Sequence, residues 1–144
     1  MSLADALLEP LDGDAFEPTP RALELARWFL LDTLSVGLAG SAIAADFVAP
    51  FAGTLQHLSA PGPSAAFAAG ARLVPHAAAA VNAASVHTLD FDDSYLSGVK
   101  AHLSTSVVPA ALAVSAISPA WRGACTMICA RPLKALRLHG KVTG

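Results

Sequence analysis

From His87 to Leu112 the chain reads HTLDFDDSYLSGVKAHLSTSVVPAAL, with three carboxylates in four residues and a histidine on either side. Charge is scarce elsewhere, since 54% of the residues are hydrophobic and 14% are charged. A local concentration therefore marks either a helix-end device or a site. An aspartate beside a histidine orients the imidazole tautomer and raises its basicity, and a pair tuned in this way moves a proton to or from a substrate carbon or oxygen. Were the alanine-rich segment before the cluster to stay helical past Leu89, His87, Asp90 and Ser94 would share one face at i, i+3 and i+7, with Asp92 and Asp93 pointing elsewhere. His102, just ahead of a helix start, adds a second titratable group near N–H groups that favour anions, an arrangement suited to carboxylate substrates. The plainer reading assigns Asp90, Asp92 and Asp93 to solvation of a helix–loop junction and His87 to helix packing. Spacing alone leaves both open.

Several helices must position these residues. In TPRALELARWFLLDTLSVGLAGS, Thr19 caps the free N–H groups, Pro20 suits the first helical position, and Gly40 offers the left-handed geometry that ends a helix. Its apolar stripe is wide enough to predict burial on most sides, which needs partners beyond one short chain. AADFVAPFAGTLQHL reads as a weaker helix disturbed by Pro50 and Gly53, SAPGPS as a loop, and SAAFAAG as a short extended piece. Pro75 opens PHAAAAVNAASVHTL, whose alanines carry the highest helix propensity and let neighbouring backbones approach. After the cluster, Ser104 is placed to cap TSVVPAALAVSAI, with Pro109 near its first turn. The expectation is an all-α chain with no internal repeat.

Charge divides the chain. Residues 1–117 hold all eleven acids against Arg21, Arg27, Arg72 and Lys100, a balance of −7, whereas residues 118–144 hold five basic residues and no acid. The first span reads as one helical unit, the second as a basic tail that is disordered or translated out of frame. The start has no basic region of the kind that opens a signal or transit peptide. The apolar tracts are broken by Asp32, Asp46, Gly37 and Gly40, so no bilayer span and a cytoplasmic location are expected. Cys125, Cys129 and His139 lack a fourth ligand and metal-site spacing. The tail's basic residues carry no aromatic interleaving, so nucleic acid is not an expected partner.

Two known patterns fit the cluster. LDFDDSYL fits the D-x-D-x-[ST] signature of haloacid-dehalogenase-type phosphatases, Mg²⁺-dependent enzymes whose nucleophilic aspartate follows a hydrophobic strand. What precedes Asp90 here has the wrong propensity for a buried strand. The longer fit is carried by ARWFLLDTLSVGLAGS, FAAGARLVPHAAAAVNAASVHTLDFDDSY and HLSTSVVPAALAVSA, in that order. In these stretches the sequence resembles the MmgE/PrpD family, which includes 2-methylcitrate dehydratase, cis-aconitate decarboxylase and iminodisuccinate epimerase. The resemblance covers residues 20–117, the N-terminal part of a family member.

That resemblance implies a partial helical domain without the family's α/β lid domain, and a site for a di- or tricarboxylate with no metal and no cofactor. It implies catalytic roles for Asp90 and His102 and substrate-binding roles for Ser94 and His87. Ser94 stands where the family has threonine, and Leu103 where it usually has proline. The implied chemistry is that of a lyase: a proton next to a carboxylate is removed with loss of water, or CO₂ is replaced by a proton. The family's later histidine, lysines and tyrosine have no counterpart here, so the expectation is a truncated lyase, inactive alone, with a homo-oligomer as a possible assembly. A non-enzymatic helical association module is the alternative from a different class.

Overall fold

The computed structural model describes residues 19–68, 70, 72–94 and 102–117. Helix α1 spans Pro20–Ile43, α2 Ala45–Leu58, α3 Pro75–His87 and α4 Leu103–Ser115, and a two-stranded antiparallel sheet pairs β1 (Pro61–Ala65) with β2 (Arg72–Leu73). The fold is helical, as expected, with this small ribbon added.

The start of α1 follows its sequence. Thr19 Oγ1 accepts the Ala22 N–H at 3.2 Å, and Pro20 takes the first turn, where its missing N–H costs nothing. Its end does not. The helix runs through Gly40 to Ile43 and breaks at Ala44, from which α2 leaves at 98°. Gly40 serves close approach instead: a Cβ there would lie 1.9 Å from the Ser85 carbonyl oxygen on α3. At Gly37, three residues earlier, a Cβ would lie 2.6 Å from the Phe67 ring and 3.0 Å from a Val86 methyl. Only Ala26, Thr33, Gly37 and Gly40 of α1 are buried among the described residues, rather than most of its circumference, because its partners here cover one narrow side.

Neither Pro50 nor Gly53 interrupts α2. Pro50 and Asp46, whose carbonyl loses the N–H that proline lacks, are both exposed, so water can replace that bond. The segment read as a loop, SAPGPS, supplies most of β1. Proline is tolerated there because a two-stranded ribbon consists only of edges, and Gly62 lets the chain pass the Leu73 carbonyl, where a Cβ would meet oxygen at 2.3 Å.

The interior is made of small side chains. Val48, Ala52, Ala66, Leu73, Ala77, Ala78, Val81 and Ala113 form one cluster, and Ala26 and Val108 a second with Leu30 and Leu112 beside it. Each alanine methyl adds only about 0.8 kcal/mol on burial, so close backbone packing and buried hydrogen bonds carry more of the specificity. Asn82, buried in α3, donates Nδ2–H to the Ala65 carbonyl at 3.0 Å and accepts the Phe67 N–H at 2.8 Å, fixing the end of β1 against the helix. Ser64 Oγ donates to the Ala113 carbonyl of α4 at 2.8 Å. Among the described residues no single helix is long and apolar enough to cross a membrane.

Candidate functional site

Helix α3 stops at His87, short of where the shared face of His87, Asp90 and Ser94 would need it. Thr88 closes the last turn on the Ala84 carbonyl, the Asp90 N–H returns to the His87 carbonyl at 3.0 Å, and Asp90 takes φ +52°. Aspartate is one of the few non-glycine residues that tolerates this left-handed geometry. The turn reverses the chain beneath the helix end and gives the three carboxylates three different surroundings.

Asp93 is the helix-end device. Its Oδ1 accepts the Ser104 N–H at 3.0 Å and also the Ser104 hydroxyl. Ser104 therefore does not cap α4; it lies in the first turn, the cap position belongs to His102, and a carboxylate eleven residues back supplies the acceptor and complements the helix dipole. Pro109, expected near the first turn, lies deeper in α4 and is buried.

Asp92 is the hub of the site, with a side chain fully removed from solvent. Its Oδ2 accepts from His87 Nδ1 at 3.0 Å and from the Thr105 hydroxyl, while Oδ1 has no partner in ordinary hydrogen-bond range and faces His102 Nδ1 at 3.4 Å. Burial pushes this carboxyl up, but the hydroxyl of Thr105, the His87 imidazole, a backbone hydrogen bond and the nearby His102 outweigh it and hold the group below the usual aspartate value. The two imidazoles meet edge to face, with ring centroids 5.2 Å apart. The His87 side chain is 55% exposed and that of His102 18%. The site thus opens toward solvent on the His87 side and closes at Asp92.

Of the residues singled out in the sequence, His87 and His102 come together, and Ser94 joins them with Oγ 3.4 Å from His102 Nδ1. Asp90 lies exposed on the turn, apart from the hydrogen-bonded hub. Asp92 was missed because an i, i+5 pair shares no helix face; the signal available was an aspartate at a helix exit, where a left-handed turn is inexpensive. Lys100 lies outside the described residues, as do Cys125, Cys129, His139 and the tail from residue 118.

One ring nitrogen each of His87 and His102 and a carboxylate oxygen of Asp92 lie within 4.8 Å of one another, a donor set of the two-histidine, one-carboxylate kind. His102 Nδ1 lies 3.1 Å from the Asp93 carbonyl oxygen, a group that only accepts. With hydrogen on that nitrogen, His102 would offer a cation Nε2 alone.

The helical scaffold thus holds a buried aspartate between two histidines. The sequence matches the MmgE/PrpD N-terminal domain over residues 14–124, and the chain belongs to that family. The match takes in the whole hub and runs seven residues past the boundary drawn at Ile117. Neither the curated proteins nor the solved structures yield a match.

Proposed function

We propose that this chain carries the proton-handling part of a lyase site for a di- or tricarboxylate. The observation that carries the reading is the meeting of His87, Asp92 and His102 inside the span that matches the family. His102, held from one side by Asp92 and the Asp93 carbonyl, takes the proton next to a substrate carboxylate or returns one. Asp90, exposed on its turn, polarises a substrate hydroxyl, Ser94 donates a hydrogen bond to a substrate oxygen, and His87 does so through Nε2 once that nitrogen is protonated. In dehydration the electron pair of the broken C–H bond forms the new double bond, and hydroxide leaves with a proton as water. In decarboxylation the electron pair of the broken C–CO₂ bond stays with the substrate carbon skeleton, which takes a proton from protonated His102 as CO₂ leaves.

Both paths develop negative charge that oriented cations must hold. Among the described residues the ion pairs at the cluster are the two histidine contacts of Asp92 and no others. The carboxylate-holding cations therefore come from outside these residues, and the isolated chain is inactive in this reading. The haloacid-dehalogenase signature needs a strand before Asp90, and α3 occupies that place.

The test is to assay 2-methylcitrate dehydration and cis-aconitate decarboxylation with the 144-residue chain and with the same chain joined to the C-terminal part of a full-length family member. The chain alone should be silent and the fusion active, and His102→Ala should remove most of the fusion's turnover. Turnover by the chain alone that vanished on His102→Ala would overturn the incomplete-site reading.

A further inference from the structure

We infer that the turn after α3 positions two proton carriers at once: the Asp92 carboxylate fixes His87, and the Asp93 carbonyl fixes His102, each with hydrogen on Nδ1, leaving both Nε2 atoms as the basic positions. The argument needs only donors and acceptors. Among the described residues the partner of His87 Nδ1 and the nearest partner of His102 Nδ1 both accept. For His87 it is Asp92 Oδ2 at 3.0 Å, and for His102 the Asp93 carbonyl at 3.1 Å, with Asp92 Oδ1 beyond it at 3.4 Å. An ionised carboxylate has no hydrogen to give, and its lowered proton affinity keeps Asp92 in that state. Among the described residues the group near His102 Nδ1 that could donate is Ser94 Oγ, at 3.4 Å against 3.1 Å for the Asp93 carbonyl, and it can accept equally well. Lone pairs on either Nδ1 would face oxygen lone pairs in a site closed to water at Asp92. The protein therefore selects one tautomer for both rings, as a carboxylate does for a ligating or catalytic imidazole.

The consequence goes beyond a single base. With the Nε2 positions freed on two rings whose centroids are 5.2 Å apart, His87 becomes a second proton carrier rather than a substrate contact alone. One ring can take a proton from carbon while the other gives one to a departing oxygen. That role rests on the lyase reading above; the tautomer assignment does not, and it can fail separately.

The test is long-range ¹H–¹⁵N NMR of the imidazoles in the ¹⁵N-labelled 144-residue chain, at a pH where they are neutral. His57 and His76, both exposed and outside the hub, serve as internal references and should show the tautomer mixture of free imidazole. His87 and His102 should each show a hydrogen-bearing Nδ1 and a pyridine-type Nε2. Asp92→Asn replaces the carboxylate at His87 with an amide that can turn its N–H₂ toward the ring, so His87 should revert toward the reference pattern, while His102, held by the Asp93 carbonyl, should keep its own. Thr105→Val, which keeps the carboxylate, should leave both rings unchanged. Either ring carrying its hydrogen on Nε2 in the unmutated chain would overturn the inference, as would an Asp92→Asn spectrum with both rings unmoved. Should Asp92→Asn not fold, the unmutated chain and Thr105→Val still decide. In the active fusion, a correct tautomer pattern with full turnover after His87→Ala would leave the turn its positioning role and remove the second carrier.

Discussion

Where α1 crosses α3, a glycine lies against a backbone carbonyl and the neighbouring side chains are Ala, Ser and Val; on the outward side of the same helix stand Trp28, Leu31 and Leu38, with Trp28 62% exposed. The usual order, large apolar residues inside and small ones wherever they fit, is inverted. Ile43 and Phe47 continue the outer surface across the α1–α2 bend. The inner seam sets the distance between α1, α3 and α4, and with it the place of His87 and His102 at the helix ends. Among the described residues, five of the eight exposed large hydrophobics are these, an arrangement expected of a surface that another body covers. Position and association are thus assigned to different sides of the molecule.

The hardest way to break the seam is to add a methyl group to it. Gly40→Ala would place a carbon 1.9 Å from the Ser85 carbonyl, which the helices can relieve only by moving apart. We expect a loss of about 2–3 kcal/mol by denaturant unfolding, with the His87 and His102 resonances shifting together. An unchanged midpoint would mean that α1 and α3 are not in contact here.

Asn82→Ala should cost about 2 kcal/mol, because the Ala65 carbonyl and the Phe67 N–H each lose a buried partner. Asn82→Asp keeps the acceptor but sets a buried carboxylate oxygen against the Ala65 carbonyl, and should cost at least as much at neutral pH. Equal midpoints for all three chains would show that β1 is held by something else.

Asp92 separates the regions by pH. Its carboxyl is held below the ordinary value of 3.8, so its ionisation contributes stability that is fully present above that value and is lost as pH falls through the lower folded value. The stability gap between the unmutated chain and Asp92→Asn should therefore be widest above pH 4 and close in stronger acid. A gap that stayed constant to the acid limit would place the Asp92 effect in packing rather than charge.

How much of this could be read in advance depends on the range of the interaction. The Thr19 cap, the Pro20 start and the alanine helix are local, and three or four adjacent residues settle them. Gly40 was read as a terminator because its actual partner, Ser85, lies 45 residues away and nothing beside it in the sequence announces the crossing. The cluster divides the same way: its chemistry was visible in the letters, but which aspartate faces the histidines depends on a left-handed residue, Asp90, just past the end of α3. Asp93 capping α4 in place of Ser104 is again a contact across a loop. Propensity reports the elements, whereas the site is made at their ends, where the chain changes direction.

Gly53, exposed to no neighbour within 4 Å, is the inverse of Gly40. Gly53→Ala should stabilise the chain by about 0.5–1 kcal/mol through helix propensity alone, measured by the same unfolding. A loss would mean that α2 packs against something at that point.

The smallest expected change in stability is on the outer face of α1, and it tests the comparison most directly. Trp28 and Leu38 have more than half their surface in solvent, so Trp28→Ser with Leu38→Ser removes little buried area and should move the unfolding free energy of a monomer by no more than about 0.5 kcal/mol. The same pair of changes should sharply reduce binding of a hydrophobic dye and self-association in sedimentation, because the apolar patch that drives both is interrupted at two points along one helix face. A chain that already sediments as a monomer, binds no dye and melts cooperatively would show the outer face to be tolerated as free surface. A large loss of stability with no change in association would show that α1 buries these residues against its own chain, and the division of roles between the two faces would then be wrong.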